Sequence, residues 1–131
     1  MRRLCFSFMF LLMLIGCSQA GSQTYDHELG YKKSDVNEQF LVPGNAEQQE
    51  ANFNNPNYLK GAKYKLINVG GSQGLYPPHP YFQELEKSGW SELEDKRMGH
   101  VHFFSNGDTI MSVVIKQDFF EVYELKQGAK F

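Results

Sequence analysis

Gly70-Gly71-Ser72-Gln73-Gly74 centres a serine in a G-x-S-x-G pattern just after a strand-like stretch, the setting in which a serine hydrolase exposes its nucleophile. Asp95 and His100 follow in the chain order that a triad would need. The context does not support it. A nucleophile turn must lead directly into a helix, whereas Leu75-Tyr76-Pro77-Pro78 follows, and the chain is too short for that fold's sheet and crossovers. A glycine turn explains the pattern equally well. His100-Val101-His102 would set two imidazoles on one face of a strand, where both could ligate one metal with His79 or a carboxylate as third ligand. Zinc needs at least three protein ligands, and no known ligand spacing surrounds this pair, so no metal or other cofactor is expected. The glycine run lacks the Gly-Lys-Ser/Thr of a phosphate loop and the spacing of a dinucleotide fingerprint. Glu84, Glu86, Glu92, Glu94 and Asp95 surround Trp90, and a solvated helix face and loop explain them better than paired acid–base catalysts.

The segment Tyr76 to Trp90 differs in kind. Pro77, Pro78 and Pro80 stiffen it, and Tyr76, Tyr81, Phe82 and Trp90 are candidate partner-binding residues, because rigid aromatics lose little entropy on binding. The competing assignment puts the same aromatics in the core.

These residues need a scaffold. Val- and Phe-rich runs flanking Ser105-Asn106-Gly107-Asp108 predict a hairpin, and a third run after Gln117-Asp118 extends it to a three-stranded antiparallel meander over Gly99–Phe104, Thr109–Lys116 and Phe119–Leu125. With a three-residue bulged loop, Val101 and Phe103 join Met111, Val113, Ile115, Phe120 and Val122 on the core face; a two-residue loop slips that pairing. Lys63–Val69 reads as a further strand ending at Gly70-Gly71, and Pro80 opens a helix over Tyr81–Ser88 that stops at Gly89. The fold class predicted is α+β, with about four strands and one short principal helix. Residues 18–58 are rich in Gln, Asn, Glu and Asp and read as a polar tether. Two islands interrupt it, Val36–Val42 and Ala46–Phe53, the latter with Asn45 and Gln48 placed like a helix cap and its partner; either could dock on the domain.

The start of the chain supplies an address. Arg2 and Arg3 precede an apolar run from Leu4 to Ile15, which is shorter than the ~20 residues a membrane span requires and has the layout of an export signal. Leu14-Ile15-Gly16-Cys17 resembles the lipobox of bacterial lipoprotein precursors. The resemblance covers these residues only. It implies cleavage before Cys17, diacylglycerol on the Cys17 sulfur, and residence on the outer face of the cell membrane, or on the outer membrane where a host has one. Ser18, in place of an aspartate, resembles the outer-membrane sorting pattern. Ser18-Gln19-Ala20 offers an alternative cut after Ala20, which would yield a soluble chain.

The expected organisation is therefore a signal peptide over 1–16, a lipidated cysteine and tether over 17–58, and one small domain over 59–131. Cys5 and Cys17 are the only cysteines, so loss of the signal leaves none to form an internal disulfide. Thirteen basic side chains face fifteen acidic ones, two of the basic ones within the signal, and no basic stripe exists for nucleic acid. The function expected is non-catalytic: binding or modulating an envelope protein partner from a membrane anchor, an inhibitor or immunity-type lipoprotein being one form of it. The alternative is a small hydrolase or metal-dependent enzyme using Ser72 or His100 with His102.

Overall fold

A computed structural model describes residues 23–131, so the signal-like segment and Cys17 lie outside the described residues. The fold is α+β. One helix, α1 (His79–Lys87), packs on a six-stranded antiparallel sheet of order β3-β4-β8-β7-β6-β5, and β1 and β2 form a separate antiparallel pair. The strands are β1 (Tyr31–Lys33), β2 (Leu41–Pro43), β3 (Glu47–Gln49), β4 (Tyr58–Lys65), β5 (Ser91–Glu92), β6 (Val101–Asn106), β7 (Thr109–Ile115) and β8 (Phe119–Leu125). Eight strands replace the expected four or so. The additional ones are two or three residues long and mostly polar, with no apolar alternation to announce them.

The meander forms as β6-β7-β8, but the turn decides its faces. Asn106 pairs with Thr109, leaving Gly107-Asp108 as a two-residue loop with Gly107 at φ +60°, the sign that a type II′ turn requires at its first central residue. His102 therefore lies opposite Val113 and Phe104 opposite Met111. This corrects the bulged-loop register: His102 and Phe104, not Val101 and Phe103, share the core face with Met111, Val113, Ile115, Phe120 and Val122. Ala62 and Tyr64 of β4 complete that face opposite Val122 and Phe120. α1 covers it with Tyr81 and Leu85, both fully buried; Pro80 sits in its first turn and Gly89, at φ +103°, lies just beyond its end. The other face is not bare. Tyr58 stacks on Tyr123 at 4.3 Å, Phe53 meets the same ring edge-on at 5.5 Å, and Phe131 stacks on Phe103 at 4.7 Å.

The largest departure lies before residue 50. Val36, Phe40, Val42 and Ala46, within the stretch read as a tether, are 4 % exposed or less and belong to the main core. Four contacts fasten this arm. Tyr81 Oη donates to the Leu41 carbonyl at 2.7 Å, Trp90 Nε1 to the Gln39 carbonyl at 2.9 Å, the Asp35 amide to Tyr64 Oη at 3.1 Å, and Asn37 Nδ2 to Glu124 at 2.8 Å. Average composition hid the arm because a few apolar side chains, each fully buried, contribute about 1.5–3 kcal/mol apiece whatever their neighbours are. Glu47–Gln49 is an edge strand beside Lys63–Lys65, not the start of a helix, because pairing with β4 satisfies its backbone. β4 itself begins five residues before the expected Lys63, since β8 offers it a partner as far as Tyr58. Beyond Lys65 the chain turns at Asn68, whose φ is +65°. Among the described residues no helix is long and apolar enough to cross a membrane.

Candidate functional site

A cleft of about 470 Å³ opens between α1 and the β5–β6 edge. That size lies within the usual range for sites that take small groups. Phe82 from α1 and Phe104 from β6 form an aromatic wall with ring centroids 5.1 Å apart, while Glu86, Glu92, Glu94 and Arg97 bring charge to the opening. At its base is His102, 2 % exposed, edge-on to the Phe82 ring at 4.8 Å.

His102 Nδ1 lies 3.2 Å from Glu92 Oε1. A carboxylate can only accept, so Nδ1 carries the proton and Nε2 is left as the acceptor. Burial, followed by the nearby Arg97 and His100 charges, pushes the imidazole from its ordinary 6.5 down to about 4. Burial, followed by repulsion from Glu94, raises the Glu92 carboxyl. At neutral pH the pair is thus a neutral imidazole held by a carboxylate, not an ion pair. A base that protonates only near pH 4 is a poor proton acceptor in a reaction at pH 7, where general-base efficiency favours a pKa close to the working pH. Its unprotonated Nε2 can still accept a hydrogen bond.

Of the histidines singled out in the sequence, His79 shares the cleft with His102 and His100 does not. His79 lines the same cleft from the exposed first turn of α1, whereas His100 lies 3.1 Å through Nδ1 from the Gly74 carbonyl. Among the described residues no group of three or more His, Cys, Asp or Glu is placed to hold a metal ion. Ser72 is exposed in a short 3-10 turn, Ser72–Gly74, that leads on to the proline segment and not into a supporting helix. The imidazole that comes nearest this loop meets Gly74, not Ser72. Of the aromatic candidates, Tyr81 and Trp90 are core residues, Phe82 is half-buried in the cleft wall, and Tyr76 is 66 % exposed.

Sequence reasoning missed Glu92 as the partner of His102. The two meet only because Glu92 pairs with Phe104 across β5–β6, which puts its side chain on the face His102 shares. The acidic spacing around Trp90 was the available signal, but it did not say which carboxylate would turn inward. The chain matches no protein-family model, no characterised protein and no solved structure.

Proposed function

We propose that the chain is a lipid-anchored envelope lipoprotein whose domain binds a partner protein and performs no chemistry of its own. The observation that carries this reading is the cleft beneath α1, where a buried, carboxylate-held imidazole with a pKa near 4 is suited to accept a hydrogen bond and ill suited to move a proton. Pro77 forms part of the rim and Phe82 with Phe104 forms its wall, so an apolar and rigid edge adjoins the polar base. Cys17 carries the anchor, on the outer face of the cell membrane or on the outer membrane of a host that has one.

Two measurements test it. Lipid labelling of the wild type and of Cys17→Ala reads the anchor: the label and membrane fractionation disappear in the variant. A photo-cross-linking residue at Gln83, which lines the cleft, captures the same envelope protein repeatedly, while one at Lys63, above the Phe119 ring on the opposite sheet face, does not. Labelling of Ser72 by a fluorophosphonate probe, or metal co-purifying in stoichiometric amount with His100 and His102, overturns the non-catalytic reading in favour of a small hydrolase or metal-dependent enzyme.

A further inference from the structure

The described chain begins tied to one end of the sheet. Thr24 bridges Ile67 in parallel, the Ile67 amide donates to the Gln23 carbonyl at 2.6 Å, and the Tyr25 amide donates to the Ile67 carbonyl at 2.8 Å. Cys17 lies six residues before Gln23, and six residues span at most about 20 Å when fully extended. Whatever modifies Cys17 is therefore held close to this end of the molecule.

The same end exposes apolar side chains. Ile67 is 40 % exposed, Leu75 61 % and Tyr76 66 %, all on the loop that joins β4 to α1. That loop is fixed against the β7–β8 turn, where the Gly70 amide donates to the Gln117 carbonyl at 3.3 Å and the Asn68 amide to Asp118 at 2.9 Å, and it closes on itself where the Tyr76 amide donates to the Gly70 carbonyl at 2.8 Å. The Tyr76 side chain lies so close over Gly71 that a Cβ there would come within 2.9 Å of it. Lys65 ends β4 beside this loop, and the Lys116 backbone packs against Gly70 and Gly74. Aliphatic side chains and a tyrosine suit a bilayer interface, where tyrosine rings sit at headgroup depth.

We propose that the end of the domain formed by Ile67, Leu75 and Tyr76 rests on the lipid surface that holds the Cys17 anchor. This rests on the lipoprotein reading above, and it adds an orientation: the short lead presses a preformed apolar patch onto the bilayer, and the opposite end of β4, near Leu59, faces away. That contact adds to the membrane affinity supplied by the Cys17 lipid without any new partner.

The test uses the full-length lipidated protein in phosphatidylethanolamine–phosphatidylglycerol vesicles with brominated acyl chains. Tyr76→Trp reports the patch; Leu59→Trp, 51 % exposed and roughly 20 Å along β4 from its Lys65 end, reports the far end. Above the background of buried Trp90, emission of Tyr76→Trp is quenched at least about threefold more than that of Leu59→Trp, as expected for a side chain at the headgroup–acyl boundary. Equal quenching at the two positions, or none at Tyr76→Trp, overturns the proposal. The mass of the amino-terminal peptide is read on the same sample. A lipidated Cys17 with an unquenched Tyr76→Trp refutes the lipid-facing end alone, whereas an unmodified Cys17 overturns this proposal together with the anchor.

Discussion

Acidification provides a quantitative check on the His102–Glu92 pair. In the unfolded chain His102 protonates with its ordinary pKa of 6.5, whereas in the folded protein it does so only near 4. Between those values the unfolded state binds a proton that the native state does not, so stability falls as pH falls; the contribution is fully present above 6.5 and lost by about 4. A difference of about 2.5 units at 1.36 kcal/mol each is a loss of about 3 kcal/mol, and the 2 % exposure of His102 means that solvent screens little of it. Glu92 acts in the opposite sense, since its raised pKa makes the native state bind the extra proton above 4.5. Comparison with His102→Gln, which can still donate to Glu92 but does not titrate, cancels most contributions from other groups. The assay is the urea midpoint of both proteins from pH 7.5 to 4, with the His102 ring followed by NMR. The stability difference between wild type and variant shrinks by about 3 kcal/mol over that range. A difference independent of pH refutes the desolvated imidazole, and one that grows on acidification shows that the ion pair with Glu92 dominates burial.

Two further outcomes probe the packing. Phe40→Ala costs about 3–5 kcal/mol in chemical denaturation because its ring is fully buried, edge-on to Trp90 at 5.0 Å and to Phe104 at 6.0 Å; a cost below about 0.5 kcal/mol would return this stretch to the status of a tether. Gly61→Ala destabilises by about 1–3 kcal/mol, since its Cβ would lie 2.4 Å from the Tyr123 ring that Tyr58 holds in place, and adding Tyr123→Leu recovers part of the loss. If the single variant unfolds at the wild-type midpoint, the ring is free to move aside.

The meander was legible because Asn106-Gly107-Asp108 sits between runs whose β-branched and aromatic content leaves few other choices. Its faces were not. One residue more or less in the loop turns every side chain of β6 over, and only the paired backbone of Asn106 and Thr109 settles the count. Of the arm from Tyr31 to Ala46, the Val36–Val42 island was legible as a segment that could dock, but its place was not: Phe40 and Val42 share one core with Trp90, Tyr81 and Phe104, residues 39 to 64 positions away, and no local window contains that information. The site divides in the same way. His102 stood out by its spacing from His100, yet the strand begins at Val101, and His100 turns to the glycine loop while His102 turns inward to a glutamate ten residues back. Tyr81 and Trp90 show that an aromatic, proline-stiffened segment can be mostly core, with Tyr76 left outside.

The last strand in the chain, β8, occupies the middle of the main sheet, between β4 and β7, and its Glu124 also receives Asn37 from the arm. The β3–β4 and β5–β6–β7 parts of the sheet are joined only through β8, whose pairing with β4 links residues some sixty positions apart. Folding of this kind waits on non-local contacts. A chain threaded amino-terminus first through a narrow translocation channel would thus not complete this sheet until β8 had crossed. For the same reason a cut that releases β8 parts β4 from β7.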